Sequence, residues 1–164
     1  MPNSSILGID SGKIDRIVVA RIKKDVDLLE SIKEIAKKEK IKAGLIITGI
    51  GALKRGVFRN LKHFPENLPV QDSDREFIEI KRPLELLSLA GHICEKEDGE
   101  PFIHAHFSAS HLDEENKLVA LGGHLIEGNI TSIKITVVVA VLKNINMSAK
   151  HSKESESLEL SLPV

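Results

Sequence analysis

His104 and His106 flank a single residue, Ala105, in a stretch that alternates like a β-strand, so their imidazoles project from one face. The opposite face, Ile103, Ala105, Phe107 and Ala109, is apolar and belongs to a core. A third imidazole, His124, follows two glycines in Gly122-Gly123-His124-Leu125. Paired glycines allow a sharp turn and a close approach to another element, which puts His124 on a loop. Two imidazoles from a strand and one from a loop fill three corners of a tetrahedron. Three neutral nitrogens with one open position make the ligand set of a catalytic-type zinc site. Other first-row metals accept the same set, so zinc is the expected ion without being the only candidate. Taken alone, the His104/His106 pair reads equally as structural or solvent-facing.

The remaining histidines carry weaker signals. His63 lies in a basic segment, and His111 and His151 lie in polar turns or tail, all positions of solvated side chains. His92 follows Gly91 on a strand, where a hydrogen-bonded sheet histidine is the ordinary state and an approach to the site the alternative. The single cysteine, Cys94, sits next to Ile93 in an apolar strand and reads as a buried structural thiol rather than a ligand or nucleophile.

Several elements must position these groups. Asp15 to Lys23 alternates as a strand. Over Asp25 to Lys40, Leu28, Leu29, Ile32, Ile35 and Ala36 recur at helical spacing, acidic residues lead and lysines trail, as the helix dipole favours. Gly44 to Ile50 is an apolar run typical of a strand covered on both faces, ended by a loop at Gly49 and Gly51. Gly56 to Lys62 is a separate strand, and Phe64 to Asp74, with Pro65 and Pro69, is a loop. Glu76 to Lys81 alternates again, Leu84 to Cys94 and Phe102 to Ser110 form a hairpin about the turn at Glu97 to Pro101, and Leu118 to Leu121 is a strand broken by the glycine pair. Ile133 to Leu142 is the last long strand; its segment Val137 to Leu142 is apolar on both faces, covered within the chain or by a neighbouring copy. One helix and seven or eight strands give an α+β fold, a central antiparallel sheet with the helix on one face. The expected organisation is a single domain over 1–145 and a polar tail over 146–164. In that tail Leu158, Leu160 and Leu162 alternate as a possible short terminal strand.

Length and composition bound the function. The 164 residues suit one domain, and 41% hydrophobic with 29% charged residues suits a globular core. One cysteine excludes a disulfide framework and a Cys-rich zinc finger. A net charge of -1 argues against a strongly basic nucleic-acid binder, and five Phe without Trp or Tyr argue against base stacking on aromatic platforms. The start, Met1 to Lys13, has no signal-peptide pattern and no run suits a membrane helix, so a cytoplasmic location with no membrane partner is expected.

Pro101-Phe102-Ile103-His104-Ala105-His106, then Gly122-Gly123-His124-Leu125 and Gly128, resemble the PPC (plants-and-prokaryotes-conserved) domain. Thr48-Gly49-Ile50-Gly51-Ala52-Leu53 is similar to its glycine-rich strand-end motif, and Glu85 to Ile93 to its strand before the hairpin. The resemblance runs from about Arg16 to Leu142. It implies an α+β domain assembling as a homotrimer, with a metal, usually zinc in the prokaryotic members that carry one, on His104, His106 and His124. The family is labelled as predicted DNA-binding. In plant members an AT-hook outside the domain binds DNA, and this chain has no Arg-Gly-Arg-Pro core; Lys81-Arg82-Pro83 lacks the first two residues.

Three functions follow from these readings. The first is a trimeric metal-binding module for assembly or regulation. The second is a metal-dependent enzyme acting on an unnamed small substrate, its metal-bound water assisted by Glu127, Glu85 or Glu100. For each of these glutamates a solvated surface role is the plainer reading. The third is DNA binding through Lys54, Arg55, Arg59, Lys62 and His63, a segment that otherwise reads as a solvated face.

Overall fold

A computed structural model describes residues 5–65, 68–153 and 155–163. The start of the N-terminal segment, two positions in the expected loop over 64–74 and two in the expected tail lie outside that set. Among the described residues the elements are β1 (Lys13–Lys23), α1 (Leu28–Lys38), β2 (Ala43–Leu61), a 3-10 turn (Asp72–Asp74), β3 (Arg75–Ile80), β4 (Leu84–Glu95), β5 (Pro101–Leu112), β6 (Leu118–Leu125), β7 (Ile130–Lys143), β8 (Ser148–His151) and β9 (Leu158–Ser161). The sheet is mostly antiparallel with one helix, as expected. Among the described residues strand accounts for 58% and helix for 9%, however, so the α+β label fits only loosely.

The helix is shorter than its sequence pattern suggested. Asp27 caps it, its side chain accepting from the Glu30 N–H, which satisfies one of the unpaired donors of a first turn. The residues 25–27 therefore lead into the helix rather than belong to it. Leu28, Ile32 and Ala36 face the sheet and are buried with Ile22, Ile46, Ile103 and Val139.

β2 is the largest departure from expectation. The stretches over 44–50 and 56–62 are not two strands but parts of one 19-residue strand. Gly51 explains why: its φ of +148° lies where side-chain-bearing residues are strained, and a Cβ there would sit 2.2 Å from the Lys134 carbonyl oxygen. The glycine lets β2 bend at irregular register instead of ending. The first half of β2 lies between β7 and β4, and the second half lies between β3 and β6. Because β4 also pairs β5, and β5 pairs β6, the strands β2, β6, β5 and β4 close into a ring. Phe58 and Phe107 stack inside it with centroids 4.7 Å apart, beside Leu53, Leu84 and Leu89. The core thus fills both the ring and the space under α1.

The first half of β2 is not covered on both faces. Leu45, Ile47 and Ile50 are exposed on the side away from α1, as are Ile17 and Val19 of β1. In β7, by contrast, Val137, Val139, Ala140 and Val141 are buried within the chain itself. β8 and β9 form a hairpin that meets β4 through the Glu95–Ser148 bridge.

Candidate metal centre

Three strands deliver four imidazoles to one outer surface. His104 and His106 lie on β5, and Ile103, Ala105, Phe107 and Ala109 behind them are buried, as the alternation requires. His92 on β4 stands directly opposite His104, and His124 stands directly opposite His106. Directly opposed antiparallel residues share a face, so register alone collects all four. His124 is not on a loop: β6 runs through Gly122 and Gly123 to Leu125. The close approach anticipated for the glycine pair is present, since a Cβ at Gly123 would come 3.1 Å from the Arg59 carbonyl oxygen.

The ligating atoms of His104, His106 and His124 all lie within 4.8 Å of one another. His124 Nδ1 and His106 Nε2 are 3.4 Å apart. Nitrogens on two corners of a zinc tetrahedron with bonds of 2.0–2.1 Å stand about 3.3–3.4 Å apart. One pair stands at that spacing and the whole set lies within 4.8 Å, so the donor set suits a metal ion and would leave a fourth position for solvent or ligand. His92 adds an independent observation: its Nε2 is buried without a hydrogen-bond partner, and its ring lies 5.3 Å from that of His104. It is not the hydrogen-bonded sheet histidine expected of that position, and an orphaned buried nitrogen beside three converging rings marks an environment that the protein alone leaves incomplete.

Three of these rings, His92, His104 and His124, are biased toward the neutral form, the state that binds metal. Burial pushes His124 down to about 3, and the nearby Arg59 charge adds to the effect. Burial, then His106 and Arg59, also lower His104, against a smaller opposing pull from Glu159. Burial and then His104 lower His92. An imidazole in the unfolded chain titrates near 6.5. Between that pH and the lowered folded values, the unfolded state binds protons that the folded state refuses, so metal-free protein loses stability as pH falls from about 6.5. Thermal unfolding of EDTA-treated protein at fixed concentration is expected to give a lower Tm at pH 5 than at pH 7.5, with a smaller drop in His124→Asn. An equal Tm at the two pH values in wild type would show the rings to be free already.

The other sequence candidates fall elsewhere. No carboxylate joins the histidine cluster among the described residues. Glu127 borders the His124 cleft but lies 3.8 Å from Lys33, Glu100 pairs with Lys37 at 2.6 Å, and Glu85 is exposed on β4. Cys94 is fully buried, and burial raises its thiol to about 11, so it is inert as ligand or nucleophile. The basic segment is largely neutralised: Lys54 pairs with Asp25, Arg55 with Glu79, Lys62 with Glu76 and His63 with Asp74. Arg59 is the exception, half-buried, opposite His124 across β2 and β6. Sequence reading placed it in a charge run; its adjacency to the histidines depends on a strand register that local pattern does not carry. Glu159 of β9 escaped notice for the same reason.

A sheet of this topology with three histidines at these positions defines a recognisable class, and the chain belongs to the Plants and Prokaryotes Conserved (PCC) domain family, whose model matches residues 9–143. Among solved structures, a PPC protein from Pyrococcus horikoshii shares 30% identity over 96% of this chain and 100% of its own, with a TM-score of 0.73. A metal-containing protein from Archaeoglobus fulgidus shares 21% identity over 94% of this chain and 99% of its own, with a TM-score of 0.74. A protein from Bacteroides thetaiotaomicron provisionally described as DNA-binding shares 19% identity over 93% and 96%, with a TM-score of 0.71. No curated protein matches the chain. No helix among the described residues is long and apolar enough to cross a membrane.

Proposed function

We propose that this protein is a metal-binding module that works as a homotrimer, holding a zinc-like ion on His104, His106 and His124 and serving assembly or regulation. The observation that carries the reading is the convergence of three ring nitrogens within 4.8 Å of one another, one pair of them 3.4 Å apart. The metal content stated for the Archaeoglobus relative supports it. The trimer is supported by the apolar surface on β1 and β2, since exposed aliphatic side chains in adjacent rows mark a surface meant for cover. When bound, the ion supplies a Lewis-acidic fourth position. His104, His106 and His124 would each ligate through one nitrogen, leaving the second to donate to an acceptor or water. Elemental analysis and solution mass on protein purified without a His-tag test both halves. About one metal per chain and a three-chain mass are expected; metal-free protein or a monomer removes the corresponding half.

A second reading, duplex DNA as a partner, has the provisional description of the Bacteroides protein behind it. In this chain Lys54, Arg55 and Lys62 would exchange carboxylate partners for phosphates, an exchange that exposed pairs of roughly 0–1 kcal/mol each permit but do not drive. Binding is therefore expected to fade by about 150 mM salt. A gel-shift titration with Lys54, Arg55 and Arg59 reversed to glutamate checks it: retention at that salt, lost on reversal, establishes a DNA surface.

A further inference from the structure

The Arg59 guanidinium has no ion pair or hydrogen bond among the described residues. Its cationic neighbours, Lys54 and Arg55 on the same strand and Lys62 just beyond its end, all have carboxylate partners. It is half-buried, and its position opposite His124 puts it on the surface that carries the four imidazoles. Asp72, the acid whose charge acts on it, is already engaged by Arg75 at 2.8 Å. Arg59 and His124 line a common cleft of about 480 Å³, whose wall also holds Phe102, Leu158, Lys96 and Lys33, with Glu127 on the same wall 3.8 Å from Lys33. An unpartnered cation beside a centre that would carry two more positive charges is electrostatically costly unless an anion is present. The guanidinium fork matches the two oxygens of a carboxylate or phosphate, and the open fourth corner of the centre takes one such oxygen.

We propose that Arg59 and the open coordination position together form a binding site for a small organic oxyanion, its head group shared between guanidinium and metal and its apolar body lying along Phe102 and Leu158. The proposal rests on the metal-binding reading. Arg59 is not a metal ligand here, so the two can fail separately.

Cobalt(II) in place of the native ion makes both steps visible. Uptake of cobalt, measured by elemental analysis, reports the histidine centre. The change in its visible spectrum on titration with inorganic phosphate, acetate or hexanoate reports the anion. Wild type is expected to show a saturable spectral change, with hexanoate binding more tightly than acetate if the apolar wall is used. Arg59→Gln is expected to take up the same cobalt and to bind each anion about tenfold or more weakly, the loss expected of a hydrogen bond to a charged group. Arg59→Lys, which keeps the charge and loses the fork, is expected to fall between them. Equal anion affinity in wild type and Arg59→Gln, or no spectral response in cobalt-loaded wild type, overturns the anion site and leaves the metal centre standing. Wild type that takes up no cobalt overturns both. A response to phosphate alone assigns a phosphate head group and removes the carboxylate.

Discussion

Protein carrying His106→Ala is expected to come out of purification without metal, against about one equivalent per chain in wild type. His106 supplies one nitrogen of the tightest pair in the set: its Nε2 lies 3.4 Å from His124 Nδ1, and its ring lies 5.5 Å from that of His104 on the same strand. Its loss leaves two imidazoles whose ring centroids are 4.8 Å apart and no third nitrogen among them. Changes to residues that merely orient a ligand cost roughly 10–100-fold in metal affinity, and deleting a ligand outright should exceed that range. The side chain is exposed, so the fold should survive the truncation. Metal in equal amount in mutant and wild type would falsify the assignment. The metal-bound state should also weaken as pH falls toward the imidazole range, because protons compete for the same nitrogens.

The second large effect concerns mass. Wild type is expected near 54 kDa for three chains of 18.1 kDa, and Val19→Asp combined with Ile50→Asp is expected to give the single-chain mass. Val19 and Ile50 are 65% and 68% exposed in the isolated chain, so replacing them costs the monomer little. They lie in adjacent rows that cross β1, β7 and β2: Val19 stands opposite Val138, and Ile50 stands opposite Thr136. In an assembly that covers these rows, two carboxylates would be buried without partners, which is destabilising by several kcal/mol. Light scattering with sedimentation reads the outcome. An unchanged mass in the double mutant places any association elsewhere on the molecule.

Much of the site could be read in the chain, for reasons of period. The His-x-His alternation over apolar Ile103, Ala105 and Phe107 fixes which way two rings point, because a strand allows no other arrangement. His124 was found through the glycines before it, though for a partly mistaken reason: they keep two strands close rather than turn the chain. The glycines of β2 misled more seriously. Gly49 and Gly51 look like a strand end, yet Gly51 bends a strand that goes on for ten more residues. The closed ring, the orphaned His92 and the placement of Arg59 were illegible for one shared cause. Each depends on pairing between residues far apart in sequence, and register of that kind leaves no local trace.

That long bent strand has a wider consequence. β2 hydrogen-bonds to four other strands and contributes Leu45 to the bare apolar surface, Leu53 and Phe58 to the interior, and Arg59 to the histidine surface. Regions tied to one hydrogen-bonded strand are coupled in stability through it. A lesion in that shared strand is therefore felt at the apolar surface, the interior and the histidine surface alike.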